Sequence, residues 1–186
     1  MRKTTIREGM FETNSSSMHS IAIPRAYKEP DEEERRKIIK PYIHTLSGEN
    51  VLIGDKNTLT WYGHGFDVLD SFGAKLDYVV SSLFDSAEED HYLCFSSVED
   101  FYETALYKTL KEAIGVPEVD RISLDNIVEI DHQSRGMIKE LLDWNWDSYD
   151  SEVYTLRRVL FDPQIKILIE DDSRDTHGGY ERLTYL

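Results

Sequence analysis

The chain has 186 residues, with 36 acidic and 21 basic side chains and a formal net charge of −15. Its apolar content of 40% is too high for a disordered chain, and so acidic a surface repels phosphate, which argues against direct binding to nucleic acid. No apolar run approaches a membrane span, the opening Met1-Arg2-Lys3 stretch lacks the apolar core of a signal peptide, and the single Cys94 has no internal disulfide partner; a cytoplasmic location without membrane association is expected.

Residues 4–12 (TTIREGMFE) and 18–23 (MHSIAI) are β-prone, and Thr13-Asn14-Ser15-Ser16-Ser17 between them is turn chemistry. A strand-turn-strand unit is predicted, closed by Pro24. Alternation places His19, Ile21 and Ile23 on one face of the second strand and Met18, Ser20 and Ala22 on the other. Residues 28–40 (KEPDEEERRKIIK) are a charged excursion with a helix-prone centre. Acids at its start and bases towards its end suit a helix dipole, and with only Ile38 and Ile39 as apolar anchors an exposed short helix or a mobile segment is expected. Residues 51–54 and 58–62 read as a hairpin around Asp55-Lys56-Asn57.

Leu69, Phe72, Leu76, Val79 or Val80, and Leu83 recur at helical spacing, which predicts a helix over about 67–84 with Gly73 inside it. A short strand over 91–95 follows. Ser97 and Asp100 form a capping pattern for a helix ended by Gly115 and Pro117. A strand is predicted at 126–131, helices at 137–142 and from Ser151 to Leu160, a strong strand at 164–170, and a last strand at 182–186 after Gly178-Gly179. The interspersed order favours an α+β fold: one domain over 1–186, with a mixed, mostly antiparallel sheet and helices packed on one face. The opening strands and the late strands are expected to share that sheet.

Three places carry candidate chemistry. The opening loop offers Asn14, Ser15, Ser16, Ser17, His19 and Ser20, as anion holder or nucleophile with base, against a plain polar turn. No Gly-x-Ser-x-Gly elbow or P-loop is present. The second is the strand end Ile130-Asp131-His132-Gln133-Ser134, where His132 reads equally as a core histidine. The third is Glu170-Asp171-Asp172, whose carboxylates suit a hard cation, and which with His19, His64 and His132 would make a mixed site for a transition metal. The weak metal candidates are therefore His19, His132, Asp171 and Asp172, weighed against a solvated acidic loop. Acids and aromatics interleave at Asp143, Trp144, Trp146, Asp147, Tyr149 and Asp150, a pattern suited to a protein-binding edge or a core-covering loop.

The stretch from Phe11 to Ser20 (FETNSSSMHS) resembles the start of a group of small proteins from bacteriophages and mobile elements of Gram-positive bacteria. The similarity continues in short islands: Lys75-Leu76-Asp77-Tyr78, Ile130-Asp131-His132-Gln133-Ser134 and Leu160-Phe161-Asp162-Pro163. In that group the strand after Pro163 tends to end in Asn-Asp-Asn, where this chain has Glu170-Asp171-Asp172. The resemblance implies an origin and a bacterial host cytoplasm, and brings no established activity. Mobile elements often carry small acidic proteins that block host CRISPR or restriction enzymes. The leading expectation is thus an accessory protein whose acidic surface binds the basic nucleic-acid-binding surface of a host defence enzyme and inhibits it. Its contact residues would be Asp31, Glu32, Glu33, Glu34, Asp143, Trp144, Trp146, Asp147 and Asp150, and no cofactor is needed. The alternative is a small enzyme or ligand-binding domain, with catalytic candidates Ser15, Ser16, Ser17, His19, Asp131 and His132 and a divalent metal as its cofactor. A scaffold or assembly subunit forming oligomers is a third reading.

Overall fold

The structure, a computed structural model, describes residues 10–12, 17–22, 27–55, 61–62, 67–90, 97–130, 137–143 and 152–171. The opening β-prone runs form β1 (Met10–Glu12) and β2 (Ser17–Ala22), paired antiparallel with Phe11 opposite Ile21. The apolar run Ile165–Ile169 forms most of β9 (Lys166–Asp171), which pairs antiparallel with β2, Ile167 facing Ile21. A third partner, β6 (Asp67–Leu69), lies on the other edge of β9, giving the order β1-β2-β9-β6. The expected union of the opening and late strands in one sheet is therefore found. Residues 1–9, 91–96 and 172–186, where further strands are predicted, lie outside the described residues.

The fold is α+β, with its strands divided among three sheets. In the second sheet β3 (Ile43–Leu46) and β4 (Glu49–Leu52) are antiparallel, and β4 also pairs parallel with β7 (Arg121–Ile122). In the third, β5 (Trp61–Tyr62) pairs parallel with β8 (Glu129–Ile130). This corrects the hairpin expected around residues 55–57. The hairpin lies one strand earlier, at Ser47-Gly48, where both residues have positive φ (52° and 89°). That pair of dihedrals matches the twist of antiparallel strands, and glycine supplies the second at no steric cost.

The central helix α2 (Phe72–Asp90) begins later than expected, after a strand. Ser71 sets its start, since the Ser71 hydroxyl accepts the Ala74 N–H at 3.0 Å. Gly73 lies in the first turn, so it introduces no mid-helix kink. A Cβ there would stand 2.5 Å from the Tyr42 ring and 2.7 Å from the Asp55 backbone nitrogen. The expected apolar stripe is buried, but so is most of the rest of the helix: Leu76, Tyr78, Val79 and Leu83 are at most 1% exposed.

The Ser97 capping pattern opens a 3-10 helix (Val98–Glu103), with Asp100 returning the reciprocal bond. Thr104 then caps α3 (Ala105–Ile114) separately, its hydroxyl accepting from Tyr107, so one expected helix is two. Gly115 ends α3 in the left-handed conformation. Two further helices, α4 (Met137–Asp143) and α5 (Glu152–Phe161), fall where helices are predicted, and buried residues of all three sheets and these helices form one core. Among the described residues no helix is long and apolar enough to cross a membrane.

The charged segment is anchored more firmly than its composition suggests. It forms α1 (Glu32–Ile39), with Asp31 and Glu34 closing a capping box. Ile39 is fully buried, and so is Arg35 at 7% exposure. Arg35 donates to the carbonyls of Ile114 (3.1 Å), Gly115 (3.3 Å) and Pro30 (2.7 Å). Arg157 of α5 donates to the carbonyls of Ala113 (3.0 Å) and Glu112 (3.1 Å). Two guanidinium groups thus satisfy the carbonyls that the end of α3 leaves without helical partners, where the helix dipole favours positive charge. Arg35→Ala is expected to lower stability by about 2–3 kcal/mol in chemical denaturation, because buried carbonyls lose charged donors. Arg36→Ala, which loses only exposed ion pairs to Glu32, Glu33 and Glu118, is expected to cost clearly less.

Candidate functional site

The polar residues buried along α2 gather partners from distant parts of the chain. Lys75 is 1% exposed, and its ammonium donates to the Asp162 carbonyl at 2.9 Å and the Ile165 carbonyl at 3.5 Å. Asp162 closes the turn between α5 and β9, its Oδ1 accepting the Gln164 N–H at 2.8 Å. Its Oδ2 is buried and makes no hydrogen bond. Two of the sequence islands, Lys75–Tyr78 and Leu160–Pro163, therefore meet at this clamp. Burial lowers the Lys75 pKa from 10.5 to about 8, opposed by the nearby negative charge of Asp162 and Asp70.

Half a turn further along, Asp77 is 5% exposed. Its Oδ1 accepts from the Asn126 amide at 3.2 Å, and the same amide nitrogen donates to the Asp55 carbonyl at 3.2 Å. Its Oδ2 is buried without a partner. Gly54 lies directly against the carboxyl: a Cβ on Gly54 would fall 2.0 Å from Oδ1, a separation no side chain tolerates. Asp55 accepts a hydrogen bond from the Ser71 hydroxyl at the start of α2. Burial, offset by the Asn126 hydrogen bond and reinforced by the Asp55 charge, pushes the Asp77 pKa from 3.8 up to about 7. One turn on, Ser81 donates to the Asp77 carbonyl and accepts from Val128, while Ser82 accepts from Ile138 at the start of α4.

Of the sequence candidates, Ser17 and His19 lie on β2, and Asp171 ends β9. The register sets Ser17 opposite Asp171 and His19 opposite Ile169, so the opening motif and the acidic strand end share one end of the first sheet. Asn14, Ser15, Ser16, His64, Asp131, His132 and Asp172 lie outside the described residues, as do Trp144, Trp146, Asp147 and Asp150. Asp143 is the last residue of α4. Asp31, Glu32, Glu33 and Glu34 are exposed, yet each takes part in local bonding: Asp31 and Glu34 in the cap, Glu32 and Glu33 with Arg36. Among the described residues no group of three or more His, Cys, Asp or Glu is arranged to hold a metal. Sequence reasoning missed the buried Lys75 and Asp77, and the half-buried Asp55, Ser71 and Asn126 that gather around Asp77. The available signal was Lys75 and Asp77 flanking Leu76 inside an otherwise apolar helical stripe.

Comparison with protein-family models, curated proteins and solved structures returned no match.

The Lys75 clamp has a definite pH signature. Between about pH 8 and 10.5 the unfolded chain holds a proton on Lys75 that the folded chain has released, so this group's contribution to stability rises with pH across that window. Lys75→Met keeps the aliphatic bulk and removes the ammonium. Melting curves of the two proteins at pH 8 and pH 10 should show the variant losing that rise, by at most about 1.4 kcal/mol per pH unit.

Proposed function

We propose that the protein is an acidic accessory protein of a bacteriophage or mobile element that binds and inhibits a host nucleic-acid-handling defence enzyme. The observation that carries the reading is the net charge of −15. Acids outnumber bases among the exposed described residues, as on the 3-10 helix, where Glu99, Asp100 and Glu103 accompany the exposed Val98. Such a surface is complementary to the basic channels in which nucleases hold nucleic acid, and it would compete with the phosphate backbone for them. The contact surface in this reading includes Asp31 to Glu34 and the 143–150 segment, with Trp144 and Trp146 as anchors. The host cytoplasm is where such an inhibitor would act, and no cofactor enters the interaction.

The test is pull-down and calorimetry with a panel of CRISPR and restriction nucleases at low salt. Binding to at least one member is expected, weakening roughly tenfold or more as salt is raised several-fold. Replacing the exposed Glu99 and Glu103 together by Lys, with the capping Asp100 left in place, should slow association while leaving the melting temperature nearly unchanged. Absence of binding to every member at low salt would defeat the proposal.

A second reading, a small ligand-binding or enzymatic site using a divalent metal, is favoured by the register that sets Ser17 opposite Asp171. Under it, manganese or magnesium raises the melting temperature and Asp171→Asn removes the effect. Identical melting with and without metal counts against it.

A further inference from the structure

We infer that Asp77 is a proton-binding site, held as a neutral carboxylic acid in the folded protein, and that its ionisation loosens the attachment of the 53–55 segment and the Asn126 turn to α2. The geometry carries this. Asp77 is 5% exposed, and among the described residues no donor faces Oδ2. Burying an unpaired hydroxyl costs far less than burying an unpaired negative charge. Gly54 closes one side so tightly that no atom fits between its backbone and Oδ1. The charged group acting on Asp77 among the described residues is Asp55, a second carboxylate from the segment after β4. Asn126, from the turn between β7 and β8, is neutral. Lys75, on the same helix, spends its ammonium on the carbonyls of Asp162 and Ile165. Among the described residues of α3, α4, α5 and β8, none contributes a charge that acts on Asp77. A bound cation is the competing solution for two neighbouring carboxyls, but Asp77 Oδ1 already accepts from Asn126 and Asp55 Oδ2 from Ser71, and among the described residues no third His, Cys, Asp or Glu joins them to hold a metal.

When the proton leaves to solvent, the carboxylate must acquire water, and the tight wall at Gly54 and the Asn126 contact are what stand in the way. The folded state binds a proton that the unfolded state has lost, from the ordinary carboxylate range near 3.8 up to about 7. Stability from this group is thus full at low pH and falls as pH rises through that window. The experiment is a pH series on wild type and Asp77→Asn, the isosteric mimic of the neutral acid. It follows urea unfolding, the carboxyl carbon signal of Asp77, and amide hydrogen exchange at Asp55 and Asn126. The Asp77 signal should titrate near pH 7. The unfolding constant of wild type relative to Asp77→Asn should rise about tenfold per pH unit between pH 5 and 7. Exchange at the two amides should accelerate above pH 7 in wild type beyond the intrinsic base-catalysed increase. An ordinary carboxylate midpoint, or stability profiles that run parallel in the two proteins, overturns the inference. If Asp77→Asn does not fold, the wild-type titration and exchange decide by the same criteria.

Discussion

A helix buried around most of its circumference leaves little solvent for the polar groups it carries, and α2 carries Lys75, Asp77, Ser81, Ser82 and Ser86 in its buried positions. Each must find a partner in the protein or bear the desolvation cost. The partners come from the turn before β9, the turn before β8 and the start of α4. These bonds fix where three separate parts of the chain meet the helix. Apolar contacts alone are non-directional and tolerate sliding; a lysine that reaches two particular carbonyls does not. Buried residues of the three sheets pack with this helix, and with α3, α4 and α5, into one core.

The aromatic residues extend the same arrangement outwards. Tyr78 packs edge-on to Tyr62 at 5.1 Å, joining α2 to β5. Phe72 contacts Tyr42 at 5.3 Å and Phe161 at 5.2 Å, linking the start of α2 to the chain after α1 and to the end of α5. At the other end Phe84 meets Phe101, which meets Tyr107 of α3. Arginine is used differently. In a chain so rich in acid, Arg35 and Arg157 are turned inwards to backbone carbonyls, and Arg157 also pairs with Glu29 at 2.7 Å. This leaves the acids to dominate the exterior, so the stability of α3 and the sign of the surface have a common origin in where the bases are placed.

Elements with strong local signals were legible in the sequence. The β2 and β9 runs, the acids that open α1, the Ser97 capping pattern and the Gly115 helix end all reflect chemistry within a few residues. What was not legible depends on distance. The two-residue strands β5, β7 and β8 exist because of their partners. Arg35 reads as one more charge in a charged run until α3 places its carbonyls alongside. The Ser47-Gly48 turn was readable and was overlooked because Asp55-Lys56-Asn57 gives a similar turn signal. At the candidate sites, Lys75 and Asp77 looked like interruptions of an apolar stripe; only the closure of other segments over α2 makes them a buried polar set. The juxtaposition of Ser17 with Asp171 is likewise a matter of strand register, which no local pattern encodes.

The pairing of β2 with β9 bears on how the protein is made. A ribosome synthesises and releases the chain from its N-terminal side, and β2 is complete long before Lys166–Asp171 exists. At about 5–20 residues per second, roughly 7–30 seconds pass with one edge of β2 unable to find its native neighbour. A hairpin of two short strands is marginal in water, so during that interval Ile21 and its neighbours are available to chaperones or to other nascent chains. Emergence of residues 166–171, rather than local collapse, then becomes the event that completes the sheet.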